Sequence, residues 1–277
     1  WFPVRSSSAT RMVRALLDGP SEWLEDAVRT AIPELTSLTI DSVPINDAVA
    51  EVDLSSQALT ADSSMRSLMK AQIENTLTSL STVSSIDILI DRNPQEIEVV
   101  SPTQLPSSPG APLMLSETSV YRINGSTAIP VAGSSTHVLR LNPTEAALSE
   151  PEQTLALVNE QGMHLAGLES NESVLIDEQP DIISPHFDAD DYLWSVSASN
   201  GINVYKKGQL TTLVESQSDT RVDFALSPEG SRMVEIVEVD EVRRLQIRGV
   251  IRDSEGKPRA LTDPVTIRSA RPQLVSW

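Results

Sequence analysis

The 277-residue chain contains no cysteine. That excludes a disulfide framework and a cysteine-held zinc site, and it leaves the compartment unreadable from thiol chemistry. No apolar run approaches the ~18 residues needed to span a bilayer. The sequence starts at Trp1 with neither an initiator Met nor a charged and apolar leader, and it reads as a trimmed fragment, which leaves room for a targeting signal to have been lost. Basic residues are scarce: 21 Lys and Arg stand against 39 Asp and Glu, a formal charge of -18. Phosphate backbones and anionic lipid heads are repelled by such a surface, and nucleic acid is not an expected partner.

Reactive constellations are missing as well. There is no Gly-rich phosphate loop, no G-x-S-x-G elbow and no H-E-x-x-H. The three histidines, His137, His164 and His186, fall in separate segments read as strand or turn, which disfavours a joint catalytic or metal role. Neither an enzyme nor a cofactor or metal site is expected.

What is present is a globular composition, 39% hydrophobic and 22% charged, sufficient for one large domain or two ordinary ones. In the first third, Met12, Val13, Leu16 and Leu17 recur at helical spacing, and Leu24, Ala27, Val28 and Ala31 repeat it after a Gly-Pro step. Two short amphipathic helices are predicted. Gly19 ends the first in a left-handed conformation, Pro20 cannot continue it, Ser21 caps the second, and Pro33 closes that one. Leu38 and Ile40, a turn at Pro44 to Asp47, and the alternation of Ala48, Ala50, Val52 and Leu54 predict a hairpin. A helix from about Ser63 to Ser81 carries one stripe of Met65, Leu68, Met69, Ile73, Leu77 and Leu80, read as core. A strand follows, with Ile86, Ile88 and Ile90 on one side and Asp87 on the other.

Between Ser101 and Pro112, "SPTQLPSSPGAP" breaks both kinds of regular structure, so a boundary is placed there. Beyond it helical periodicity disappears. Stretches beginning at Leu148, Phe187 and Leu226 superpose at intervals of 39 residues, each a polar turn followed by an apolar strand, a second turn and a second strand. A period near 40 with several short strands is the pattern of β-propeller blades. Three blades and the start of a fourth, at Pro272 to Trp277, are expected.

Asp188 to Asp191, "DADD", lacks the Gly and distal Glu of an EF-hand loop and reads as a solvated acidic turn. Asp53, Asp87 and Asp91 read as solvated strand edges, since nothing in their spacing brings them together. The sequons at Asn124 and Asn171 read as turns. Trp23, Trp194 and Trp277 are large core side chains on the simplest reading, although an exposed indole would suit partner recognition; Trp194 with Tyr192 is the candidate interaction surface.

The order of parts resembles a known family. "RALLDGPSEWLEDAVRTAIPELTSL", "AEVDLSS" and "AQIENTLTSLSTVSSIDILID" resemble the GerMN domain of sporulation and germination proteins, whose marks are a leucine-rich helix ending in Gly-Pro, a Val-Asp-Leu-Ser strand end and a helix with Gln-x-x-x-Thr-Leu. The motif residues here are Gly19, Pro20, Ser21, Asp53, Gln72 and Thr76. A GerMN domain followed directly by a propeller is similar to the LpqB family of actinobacterial lipoproteins. The resemblance implies an α+β GerMN domain over 1–97 without its first strand, a Pro-rich linker over 98–112, and an incomplete all-β propeller over 113–277. It further implies a non-enzymatic lipoprotein on the outer face of the cytoplasmic membrane, an accessory of the MtrA-MtrB two-component system that contacts the extracellular part of the sensor kinase and influences cell-wall homeostasis and division. The lipid anchor is absent from this sequence. The alternative is a module that binds a cell-wall glycan or peptide on a propeller face or the GerMN sheet.

Overall fold

Helix α1, Ser8–Leu17, turns Val13 inward and ends at Gly19, whose φ of +78° is the left-handed value that stops a helix. The computed structural model describes residues 8–98, 112–149, 153–214, 219–268 and 272–275, so most of the Pro-rich stretch and Trp277 lie outside the described residues. The chain divides into two units, Trp1–Gln104 and Leu105–Trp277.

In the first unit, α1 is followed by β1 (Ile45–Asn46), β2 (Val49–Leu54), α2 (Ser63–Leu77), β3 (Ser85–Ile90) and β4 (Asn93–Pro94). The sheet order is β1-β2-β3-β4, with β2 and β3 parallel and the two outer pairs antiparallel. A parallel pair needs a long crossover, and α2 supplies it. Asp62 caps α2 by accepting from the Met65 N–H at 2.8 Å. Val52, Leu54, Ile86, Ile88 and Ile90 of the sheet pack against Met69, Ile73 and Leu77 of α2 and Val13 of α1. Burial of each such side chain contributes roughly 1.5–3 kcal/mol.

Three expectations are corrected here. The second amphipathic helix is only a single 3-10 turn, Glu22–Leu24, and Ser21 makes no side-chain cap bond. The Ala31 N–H, which a helix would direct to Ala27, is taken instead by the Gln72 side chain at 3.0 Å. The hairpin turns at Asp47 and Ala48, both at positive φ (49° and 64°), because this pair of conformations matches the twist of the flanking strands. The α2 stripe is also narrower than its sequence suggests: Met69, Ile73 and Leu77 are buried, whereas Met65 and Leu68 are exposed.

The second unit opens with β5 (Leu113–Leu115), β6 (Val120–Asn124) and β7 (Thr127–Pro130), a three-stranded antiparallel sheet. Helix α3, Ser134–Leu141, follows. Sequence periodicity missed it, since its buried side chains, Ser134, His137 and Val138, are mostly polar. Three antiparallel blades come next, two of four strands and one of five. The first holds β8 (Glu145–Leu148), β9 (Thr154–Asn159), β10 (Gly162–Gly167) and β11 (Ser173–Asp177). The second holds β12 (Ile182–Phe187), β13 (Leu193–Ser197), β14 (Ile202–Lys206) and β15 (Gln209–Val214). The third holds β16 (Thr220–Leu226), β17 (Arg232–Val239), β18 (Val242–Arg252) and a fourth position shared by β19 (Pro258–Leu261) and β20 (Val265–Ile267), which pair with successive parts of β18. Pro264, which has no N–H to give the ladder, lies in the break between them.

The repeat read from the sequence begins one strand late. Leu148, Phe187 and Leu226 are the last residues of β8, β12 and β16, so each blade starts before its marker turn. The residue after each, Ser149, Asp188 or Ser227, closes the turn with its side chain, accepting from the N–H of Thr154 (3.0 Å), Tyr192 (2.9 Å) or Arg232 (3.0 Å). Adjacent blades pack face to face. Ala147, Ala156, Met163, Ile182 and Leu193 fill one interface, and Trp194, Val204, Phe224, Met233 and Val250 the next. Residues 272–275 form no strand, but the Val275 N–H donates to Asp223 on β16 at 2.9 Å.

Candidate functional site

The motif residues of the first unit are architectural. Gln72 faces inward from α2, where its Oε1 accepts from the Ala31 N–H (3.0 Å) and lies 3.3 Å from Thr30 Oγ1, while the Ile32 N–H donates to Thr30 Oγ1 at 3.2 Å. One side chain thus fixes segment 30–32 in place of a helix. Thr76 donates to the Gln72 carbonyl one turn back at 2.8 Å. Asp53 is a correction to the solvated-edge reading, since it is buried and its carboxylate accepts the Arg92 N–H at 2.9 Å. It holds the β3–β4 turn, whose Asp91 and Arg92 both have positive φ. Asp87 and Asp91 are exposed, as read. At the Gly-Pro corner nothing lies within 4 Å of the position of a Gly19 Cβ, so the glycine is required by its backbone angle alone.

Two concavities open on this unit. A cleft of about 650 Å³ is lined by Thr10, Arg11, Arg14 and residues 41–45, with Arg14 ion-paired to Asp41 at 3.1 Å. A smaller groove of about 220 Å³ lies between segment 30–33 and Thr60, Ala61 and Met65 at the start of α2. Leu35, two residues after Pro33 of that lining, is 87% exposed and holds a φ of +63°.

In the propeller unit, the acidic turn is a further correction. Asp188 is buried and accepts four hydrogen bonds: from the N–H groups of Asp190 (3.0 Å) and Tyr192 (2.9 Å), from Trp194 Nε1 (2.9 Å) and from Arg252 Nη2 (2.7 Å). Arg252 also donates to Asp190 Oδ2 and to the carbonyls of Gly230 and Gly256. The carboxylate therefore joins the second blade to the third. Trp194 is fully buried and Tyr192 nearly so, which rules them out as a presented surface; the indole is in the inter-blade core because Asp188 satisfies its N–H there. Burial raises the Tyr192 phenol pKa, with Asp253 adding to the effect.

A second buried network is invisible in the sequence. Glu235, with no exposed surface, pairs with Arg221 Nε at 3.1 Å and Arg248 Nε at 2.8 Å, while Arg221 Nη1 reaches the Asn200 carbonyl of the second blade at 2.6 Å. The histidines are not brought together. His137 of α3 is fully buried; its Nε2 faces the carbonyls of Gly167 (3.1 Å) and Ser170 (2.9 Å), so this nitrogen carries the proton, and Arg140 donates to Nδ1 at 3.1 Å. His164, on β10, contacts Asn159 Oδ1 at 3.3 Å, and burial, assisted by the charge of Arg140, lowers its pKa. His186 is on β12. Among the described residues no group of three or more His, Cys, Asp or Glu could hold a metal ion.

Comparison with known proteins places these parts. Residues 1–96 match the family described as Germane, sporulation and spore germination, and residues 118–277 match the lipoprotein LpqB beta-propeller domain. Lipoprotein LpqB of Thermobifida fusca (strain YX) is 34% identical over 98 residues. The matched stretch spans 35% of this chain and 15% of that relative. A lipoprotein structure from Clostridium perfringens, titled putative, is 26% identical, with a TM-score of 0.28 over 31% of this chain and 55% of that one. The tandem GerMN domains of the Bacillus subtilis sporulation protein GerM are 18% identical, with a TM-score of 0.29 over 60% of this chain and 51% of that one. With a GerMN domain ahead of blades that match the LpqB propeller across more than half its length, the chain belongs to the LpqB lipoprotein family.

Proposed function

We propose that the chain is a non-enzymatic envelope protein that works by holding a protein partner, and that this partner is the extracellular part of an MtrB-like sensor kinase. In this role it is an accessory of the MtrA-MtrB system acting on cell-wall homeostasis and division, tethered by an N-terminal lipid to the outer face of the cytoplasmic membrane. The observation that carries the reading is the engagement of the buried ionisable groups. Asp188, Glu235 and His137 direct their polar atoms at neighbouring strands and blades, a use that builds a rigid scaffold and leaves them unavailable as acids, bases or nucleophiles. Family membership supports the lipoprotein part of the reading, and the charge of -18 favours proteins over nucleic acids as partners. The test is a binding titration of the purified chain against the purified kinase ectodomain, expected to give saturable association.

The cleft between α1 and residues 41–45 favours a second reading, a cell-wall glycan or peptide ligand. Its volume, about 650 Å³, is within the range of small-molecule sites. Calorimetric titration with soluble muropeptides decides this reading; absence of heat at millimolar ligand would refute it.

A further inference from the structure

The first unit carries an exposed leucine that is unfavourable in two respects. Leu35 holds a φ of +63°, a conformation that crowds its Cβ against the backbone, and it leaves 87% of its surface in water. The conformation is imposed from both sides, by Gln72 gripping Ala31 and by the turn in which the Thr36 N–H donates to the Pro33 carbonyl at 3.2 Å. Strain of this kind persists where the surroundings over-determine it, and it collects at binding sites.

The segment that leads into Leu35 lines an apolar concavity. The groove of about 220 Å³ is lined by Ile32, Pro33, Ala61 and Met65 together with Thr30 and Thr60. Leu59, Met65 and Leu68 are 49%, 38% and 43% exposed, so the patch continues from the 3-10 turn Ser56–Thr60 onto α2. The groove is smaller than a drug-sized pocket and has room for a single side chain. Segments 22–36 and 55–70, which hold the groove and the patch, carry Glu22, Glu25, Asp26, Glu34 and Asp62 against Arg29, Arg66 and Lys70, a net charge of -2.

We infer that this groove is the docking surface of the GerMN unit for a protein partner, taking one apolar anchor side chain on a segment flanked by Lys or Arg. The charge decides the occupant. A second copy would bring one acidic frame against another on a chain of net charge -18, and an anionic membrane would be repelled. A basic segment is attracted, and its apolar anchor covers Leu35 and Met65. The inference rests on the kinase-contact reading above and deepens it by naming the surface.

The experiment measures association of the 277-residue chain with the purified sensor-kinase ectodomain by biolayer interferometry, alongside thermal melting. Leu35→Asp with Met65→Asp is expected to weaken binding at least tenfold at a melting temperature no lower than that of the wild type. Val174→Asp, at an exposed position on β11, is expected to change it less than twofold. Leu35→Asn separates binding from folding, because asparagine tolerates the left-handed conformation. That variant should melt higher than the wild type and yet bind several-fold more weakly, a pair of effects that a merely structural leucine would not give. Raising salt from 50 to 500 mM should weaken the wild-type complex. If the wild type binds and the Asp pair binds equally well, the groove is the wrong surface while the kinase reading stands. If the wild type does not bind, both fall.

Discussion

Replacing Asp188 by asparagine removes a charge and one acceptor oxygen while keeping the shape of the side chain. Asparagine Oδ1 can still accept from the Asp190 and Tyr192 N–H groups at the Oδ1 position, where those bonds are 3.0 and 2.9 Å. At the other position an NH₂ would face two donors, Trp194 Nε1 at 2.9 Å and Arg252 Nη2 at 2.7 Å. Both would lose their partner, and neither can reach water easily: the indole is fully buried and the arginine side chain is 15% exposed. An unsatisfied buried donor costs about 1–3 kcal/mol and an uncompensated buried ion pair about 3–5 kcal/mol, with the residual exposure of Arg252 and its bonds to Asp190, Gly230 and Gly256 reducing the second figure. The net expectation is about 3–5 kcal/mol. Urea unfolding followed by tryptophan fluorescence reads it directly, as Trp194 is itself one of the deprived groups. A double-mutant cycle with Arg252→Met should give a coupling of about 1.5 kcal/mol or more. If Asp188→Asn lies within 1 kcal/mol of the wild type, the carboxylate does not join the blades and the turn is the solvated one its sequence suggests.

Further perturbations separate the other determinants. Gln72→Ala should cost about 1–2 kcal/mol by stranding the Ala31 N–H, with Gln72→Glu recovering most of it because the acceptor oxygen returns; chemical denaturation of both variants checks the pair. Gly133→Ala should destabilise far more than Gly19→Ala: both glycines have positive φ, but a Cβ at Gly133 would sit 2.1 Å from the Leu168 carbonyl oxygen, and at Gly19 it would meet nothing within 4 Å. Melting temperatures measured side by side compare them. His164 gives a pH dependence of known sign. Its folded pKa is lowered by burial, so the unfolded chain takes up a proton near the ordinary value of about 6.5 before the folded protein does. Its stabilising contribution is complete above that value and is lost as the pH falls through the folded pKa. Stability should decline from pH 7 to 5, and less steeply in His164→Gln, as followed by melting across that range.

The sequence made some of this legible and hid the rest for physical reasons. Helix α2 and strand β3 were readable because their apolar periods are local and are confirmed by packing on one core. The 39-residue interval was readable because Ser149, Asp188 and Ser227 each close the same turn from within it. The left-handed Gly19 followed from Gly-Pro chemistry alone. The helix predicted after Ser21 failed because its competitor, Gln72, is 41 residues away from the Ala31 N–H it captures. Asp188 looks solvated in the sequence because the arginine that pairs with it is 64 residues distant. For the same reason the sequence alone offers Trp194 and Tyr192 as a recognition surface, whereas the partner of the indole lies inside the molecule. The candidate groove left only a faint trace: Leu35 sits next to Pro33 and Glu34 in a turn, with no period to mark it, and its positive φ emerges only from the fold.

The central claim is that this member of the LpqB family acts by holding a protein partner. The most direct measurement is the equilibrium association of the purified chain with the purified extracellular domain of the sensor kinase. Saturable binding is expected, weakened by salt and lost when Leu35 and Met65 are changed to Asp. No association up to the highest soluble concentration of either protein would contradict it.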